Sequence, residues 1–226
     1  MKVAVIQFPG SNCDQDALYA LREDVGVQAE YVWHDNTSLA GFDAVFVPGG
    51  FSYGDYLRCG AMAARSRVMD AVRDLAKAGH PVIGVCNGFQ ILCEAGLLPG
   101  ALLQNRDQKF ICQDVFLRMA GASIWTGSVS KILRIPIAHG EGRYVADDDT
   151  LLEITERGQV AFRYVNATGE DLESANVNGS MESIAGVTNR AGNVLGMMPH
   201  PERATKAMLG SSDGLTILKA LTLVRA

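Results

Sequence analysis

Short apolar runs ending in glycine- or proline-rich turns, each followed by a longer amphipathic stretch, govern what the first half of this chain can fold into. Lys2–Gln7 reads as a buried strand leading into the Pro9-Gly10 turn, and a helix is expected over residues 14–24. Gln28–Trp33 and residues 43–47 read as the next strands, the second running straight into Pro48-Gly49-Gly50. Between Gly60 and Ala78 the apolar residues Met62, Val68, Met69, Val72, Leu75 and Ala76 recur mostly at spacings of three and four, which predicts one helix closed by Gly79. Residues 81–85 form a further expected strand and 89–95 a helix. Such alternation demands right-handed crossovers, so the expected fold is α/β, a doubly wound, mainly parallel sheet flanked by helices. Ligands gather at the carboxyl ends of strands in such sheets, and Cys86 falls at one of those ends.

Beyond Gly100 the pattern changes. Residues 113–119, 132–137, Val160–Val165, Ile184–Thr188 and 194–198 read as strands, which predicts a mixed β extension of the sheet. A closing helix is expected over residues 213–224, with serines before it and Leu215, Leu218 and Leu221 along one side. No repeat, low-complexity tract or linker interrupts the chain, so its 226 residues are expected to form a single domain, 1–226.

A net charge of −5 and a pI near 5.4 argue against general affinity for nucleic acid or anionic membrane, both of which need clustered Lys and Arg. No apolar stretch approaches the ~20 residues needed to cross a bilayer, and residues 1–2 lead into a strand with no signal-peptide pattern. A cytoplasmic location is expected.

Five cysteines (Cys13, Cys59, Cys86, Cys93 and Cys112) are scattered without Cys-x-x-Cys pairs, which indicates neither a disulfide framework nor a structural zinc site. Cys13, Cys93 and Cys112 read as small buried hydrophobes. Cys86 differs. Gly84-Val85-Cys86-Asn87-Gly88 places a thiol where a strand turns sharply into a helix, a nucleophile-elbow pattern with Cys for Ser. The flanking glycines are expected to permit the strained turn, and the helix N-terminus to favour thiolate. Taken alone, the pattern leaves open that Cys86 is only the last buried residue of its strand.

A base decides between those readings. In His200-Pro201-Glu202 an extended backbone would put residues i and i+2 on one side, so that Glu202 orients the His200 imidazole. An exposed turn is the bland alternative, but the apolar run 194–198 feeds directly into it and brings His200 to a strand end as well. Attack on an amide also needs backbone N–H donors for the developing oxyanion, and Gly50 with Asn87 are the candidates. Metal ligands are not indicated.

Together these residues resemble the class I glutamine amidotransferases, and within them the branch of glutaminase subunits that serve phosphoribosylformylglycinamidine synthase. The resemblance spans nearly the whole chain. It rests on QFPGSN at 7–12, PGGFSYGDYLRCGA at 48–61, GVCNGFQ at 84–90, IPIAHGEG at 135–142 and GMMPHPER at 196–203. The Cys-x-x-x-Gln and His-x-Glu elements mark the class, and the glycine-tyrosine loop and IPIAHGEG mark the branch.

The resemblance implies a flavodoxin-like fold, Cys86 as nucleophile, His200 as general base and acid, and Glu202 as its orienter. Gln90 and Gly49 would contact glutamine, and Gln90, four residues after Cys86, lies one helical turn away on the same face. Ser52, Tyr53 and Arg58, with His139 and Glu141, would lie at the site edge or face a partner. His139, in a Gly-Glu-Gly turn, ranks below His200 as the base. His34 and His80 look like loop or helix-end residues.

The implied partners are a large synthetase subunit and a small bridging subunit. ATP and Mg would be used by the synthetase, because this chain carries no P-loop and no cofactor of its own is expected. One departure from the family is Val177 in Asn176-Val177-Asn178-Gly179-Ser180, where a proline is usual; it leaves the rigidity of that loop open. Rival readings are another Cys–His hydrolase, a protease or deglycase on a related scaffold, and a non-catalytic scaffold subunit.

Overall fold

The computed structural model describes residues 1–121, 123–127 and 132–223. The strands are β1 (Lys2–Gln7), β2 (Gln28–Trp33), β3 (Ala44–Val47), β4 (Val82–Val85), β5 (Ala101–Leu103), β6 (Ile111–Met119), β7 (Leu133–His139), β8 (Arg143–Val145), β9 (Val160–Val165), β10 (Ile184–Thr188) and β11 (Val194–Met197). The α-helices are α1 (Asp14–Tyr19), α2 (Val68–Lys77), α3 (Asn87–Glu94), α4 (Asp148–Glu156) and α5 (Gly214–Ala220). Among the described residues, no helix is long and apolar enough to cross a membrane.

Nine strands form one sheet in the order β2-β1-β3-β4-β11-β10-β9-β6-β7. From β2 to β11 every neighbouring pair is parallel. From β11 to β7 every pair is antiparallel. The expected parallel sheet with a mixed extension is therefore the observed one. Central β3 and β4 are buried at every residue, as parallel strands covered on both faces must be, whereas β7 alternates buried and partly exposed positions. Four antiparallel steps separate β11 from β7, so the two strands run the same way and their carboxyl ends share one rim of the sheet.

Helix α1 continues into a π-helical stretch, Ala20–Val25, and stops at Gly26 in the left-handed conformation, close to the expected span. The single helix expected over residues 60–78 is instead broken. A 3-10 turn covers Ala63–Arg65, Ser66 is extended with its hydroxyl on the Ala63 carbonyl, and α2 begins at Val68. The break has a local cause, since the Ser66 side chain captures a carbonyl that a continuing helix would need. Helix α5 begins at Gly214 and ends at Ala220, inside the expected 213–224; Val224 lies outside the described residues.

Helix α3 buries all of Asn87–Leu92, because it lies against β4 and β11 while Phe89 stacks on Tyr144 at 6.1 Å. Gly196 of β11 has room for no side chain: a Cβ there would come within 2.1 Å of the Phe89 ring. That contact seats the helix close enough to the sheet to fix the position of its first residue.

Candidate active site

Strand β4 pairs with β11 in the register Val85↔Met197, and the Cys86 N–H donates to the Met197 carbonyl at 2.8 Å. One β-ladder thus carries Cys86 and, three residues past the end of β11, His200 to the same rim. Cys86 itself has φ +52° and ψ −110°, a strained backbone for a residue with a side chain. The flanking glycines serve a different purpose from the one expected, since neither has positive φ. A Cβ on Gly88 would meet the Val47 carbonyl at 1.9 Å, and one on Gly84 the Leu92 side chain at 2.5 Å. They allow close packing, and the strain sits on the cysteine.

His200 is buried, and its Nδ1 lies 2.6 Å from Glu202 Oε1. The backbone is not extended as expected: Pro201–Arg203 form a 3-10 turn, with Arg203 N–H donating to the His200 carbonyl at 3.1 Å. Proline fits the first position of such a turn, so the turn forms and still brings the carboxylate to the ring. The His200 N–H donates to the Pro136 carbonyl of β7 at 2.8 Å and ties this turn to the antiparallel extension.

Burial alone would lower the imidazole pKa. The Glu202 carboxylate and the Cys86 thiol beside it outweigh burial and raise it to about 10. His200 Nε2 and Glu202 Oε2 are both buried without a hydrogen-bond partner among the described residues. The Cys86 thiol rests on the Ala138 carbonyl at 3.6 Å.

Gly49 lies behind these groups, where a Cβ would stand 2.8 Å from His200 Cε1, 3.2 Å from Cys13 Sγ and 3.3 Å from Cys86 Cβ. Gly50 faces the cavity with φ +141°, and a Cβ there would strike the Asn12 N at 2.7 Å, so both the backbone conformation and the close approach call for glycine. Neither the Gly50 nor the Asn87 N–H donates to a partner among the described residues. The Asn87 side chain accepts from Ser52 N–H at 3.1 Å and donates to Gln90 Oε1 at 2.8 Å, and Gln90 Nε2 donates to the Glu141 carbonyl at 2.6 Å. Gln90 therefore braces the cavity wall as well as lining it.

The cavity encloses about 330 Å³ and is bounded by Cys86, His200, Gln90, His139 and Glu141, among others. Ser52, Tyr53 and Arg58 do not line it. Ser52 is buried behind Asn87, Tyr53 bonds His34 Nδ1 at 2.9 Å, and Arg58 pairs with Glu94 at the surface. His139 is the last residue of β7 and is buried, so its side chain belongs to the cavity wall rather than to an exposed turn.

Asn105, which sequence reasoning missed, holds His139. Its Nδ2 donates to the carbonyls of Lys109 and His139, both at 2.8 Å, which turns its Oδ1 toward His139 Nδ1 at 3.0 Å. That nitrogen must then carry the hydrogen, and Nε2 presents a lone pair. Burial and the neighbouring His200 charge lower the His139 pKa to about 4, so its ring is neutral near pH 7. Arg203 was also missed: it lines the cavity, reaches Asp16 at 2.9 Å and donates to Cys13 Sγ at 3.2 Å.

Cys13 is buried as expected but beside this site, its sulfur within 4.8 Å of ligand atoms of His200 and Glu202. Cys93 is partly buried and Cys112 exposed on β6, against the expectation for both. The Val177 loop is cross-braced without proline, since Asn176 Oδ1 accepts from the N–H groups of Gly179 and Ser180.

A thiol at a strained strand end, an imidazole held by a carboxylate and free backbone donors over a cavity define a site able to form and hydrolyse a thioester. Residues 1–213 match the CobB/CobQ-like glutamine amidotransferase domain, and the chain belongs to that family of enzymes. It is similar to the structure of PurLQS from Thermotoga maritima, with 44% identity, a TM-score of 0.86 and coverage of 98% of this chain and 97% of that one. A glutamine amidotransferase from the same organism shares the fold at 15% identity and a TM-score of 0.62, covering 98% and 96% of the two chains.

Proposed function

We propose that this chain is the glutaminase subunit of phosphoribosylformylglycinamidine synthase, working in the cytoplasm. It hydrolyses glutamine and delivers the ammonia to a synthetase subunit, which uses ATP and Mg to convert formylglycinamide ribonucleotide to formylglycinamidine ribonucleotide in purine biosynthesis. The observation that carries the catalytic reading is the buried His200, clamped by Glu202 at 2.6 Å with Nε2 free beside Cys86. The similarity to PurLQS supports the choice of acceptor and of a multi-subunit assembly.

In this reading the Cys86 thiolate attacks the side-chain carbonyl of glutamine and the N–H groups of Gly50 and Asn87 hold the oxyanion. His200, as imidazolium, protonates the leaving ammonia. As imidazole it then takes a proton from the water that cleaves the glutamyl thioester, and glutamate leaves. Glu202 keeps the ring in place and stabilises its charged form. Gln90, with Gly49 behind the nucleophile, shapes the glutamine pocket, and no cofactor on this chain takes part.

Residues 52–58 are suited to respond to a partner. Tyr53, Asp55 and Leu57 all have positive φ, and Tyr56 and Leu57 are 74% and 90% exposed. A large synthetase subunit seated there, with a small bridging subunit, would hold the cavity mouth and couple hydrolysis to acceptor binding. Glutamate release by the purified chain, with and without the synthetase subunit and its ATP substrates, tests this. Partner-stimulated release lost in Cys86→Ala is expected; release that survives the substitution overturns the assignment.

A further inference from the structure

The end of β7 walls the cavity beside both the nucleophile and the base. The Pro136 carbonyl accepts from the His200 N–H at 2.8 Å, and the Ala138 carbonyl lies 3.6 Å from Cys86 Sγ. The next residue, His139, is 3% exposed and lines the same cavity, yet the glutaminase scheme gives its side chain no task.

That side chain is held in one place and one tautomer. Asn105 Oδ1 is shared between His139 Nδ1 and the Gly142 N–H, each at 3.0 Å. A Cβ on Gly142 would stand 2.2 Å from His139 Cε1 and 2.6 Å from its Nε2, so only glycine lets the imidazole lie against the backbone there. With the hydrogen on Nδ1, Nε2 holds a lone pair, buried and without a hydrogen-bond partner among the described residues. A buried acceptor left unpaired is costly, so one kept in a pinned ring beside a reacting centre calls for a donor that arrives with the ligand.

Glutamine brings two kinds of donor, its carboxamide N–H groups and its α-ammonium. The carboxamide must enter deepest, because Cys86 attacks its carbon. The ammonium is matched instead by Asp55 and Glu141, the two partly buried carboxylates among the lining side chains.

We infer that His139 is a substrate-recognising residue of this site, whose Nε2 accepts a hydrogen bond from the glutamine carboxamide nitrogen and so selects an amide over an acid. The inference rests on the glutaminase reading and deepens it. As Cys86 attacks, the carboxamide nitrogen becomes pyramidal, with two hydrogens and one lone pair. One N–H placed on His139 turns the lone pair toward the His200 imidazolium, which delivers its proton; the C–N bond breaks, ammonia leaves, and His139 gains no proton. Product glutamate sets a carboxylate oxygen against the Nε2 lone pair, which favours its departure. Burial and the neighbouring His200 charge keep the His139 ring neutral near pH 7, so Nε2 remains an acceptor.

The test compares glutamine with the γ-methyl ester of glutamate, whose leaving group carries no N–H, in the chain assembled with its synthetase subunit. His139→Leu is expected to lower kcat/KM for glutamine about 10- to 100-fold, the scale of one lost buried hydrogen bond, while the ester changes by less than about twofold. His139→Gln, which can return an oxygen acceptor to the same place, should recover part of the loss. Equal losses on amide and ester, or no loss on glutamine, overturn the inference. Should both variants fold poorly, the nitrogen-15 resonance of His139 Nε2 is followed in Cys86→Ala. It should move upfield when glutamine binds and not when glutamate does, and a resonance unmoved by bound glutamine overturns the inference. A parent protein that hydrolyses neither substrate overturns the glutaminase reading itself, so the two failures give different results.

Discussion

Replacing Gly49 by alanine tests whether the closeness of its three neighbours matters. The new methyl would stand 2.8 Å from His200 Cε1, whereas carbon atoms in contact prefer about 3.5–4.0 Å, so the ring must retreat by about 0.7 Å or more. The Nδ1 to Glu202 Oε1 separation of 2.6 Å would then stretch toward or past the ~3.2 Å limit of a useful hydrogen bond. Overpacking of this kind costs about 1–3 kcal/mol, against which the stiffer unfolded chain returns about 0.4–1 kcal/mol. The net expectation is a loss of about 1–2 kcal/mol of stability in urea unfolding. The catalytic loss should be larger in proportion, about 10²-fold in kcat, because misplacing a reacting group by about 1 Å costs that much. The assay is partner-stimulated glutamate release at saturating glutamine, beside a urea melt of the same preparation. A Gly49→Ala enzyme with kcat within about twofold of the parent would refute the geometric argument.

Three further outcomes are expected. The His200 pKa stands at about 10 in the folded chain against an ordinary 6.5, so the stability that its charge supplies is complete below pH 6.5 and is lost as pH rises through 10; urea melts across that range should show the decline, shallower in Glu202→Gln. Cys86→Gly should be inactive yet more stable than Cys86→Ala by about 1 kcal/mol, because only glycine relieves a φ of +52°; equal thermal midpoints would deny strain at the elbow. Asn105→Leu leaves the His139 Nδ1–H, the Gly142 N–H and the Lys109 carbonyl without this partner and should cost about 2–4 kcal/mol, with a native-like denaturation midpoint as the contrary result.

Most of the parallel half was legible because β1, β3, β4 and β11 are short apolar runs whose composition alone decides that they are buried, whereas β2, at the sheet edge, is exposed at four of its six residues. Helix α4 left a signal that went unread: Asp147 caps it by accepting from the Thr150 N–H at 2.7 Å, with Asp148 and Asp149 in the first turn. The break at Ser66 was invisible to periodicity, since the buried positions of α2 keep helical spacing on their own side of it. At the site, Cys86, His200 and Glu202 declared themselves by short motifs. Asn105, Arg203 and Cys13 did not, because what they do depends on partners far along the chain. Asn105 is an ordinary loop asparagine until β7 places a histidine against it, and Cys13 is an ordinary small residue until Gly49 lets it approach His200.

The place of β11 in the sheet sets the order in which the molecule can be completed. It is the last strand among the described residues, yet it lies at the centre of the sheet, bonded on one side to β4 and on the other to β10. A growing polypeptide therefore carries an open slot between the two halves of the sheet until Val194–Met197 has been made, and the strand that fills the slot also brings the base to the nucleophile. Synthesis cut short before β11 leaves an exposed, unpaired sheet interior and no means of splitting glutamine. Closure of the core and onset of chemistry are one event.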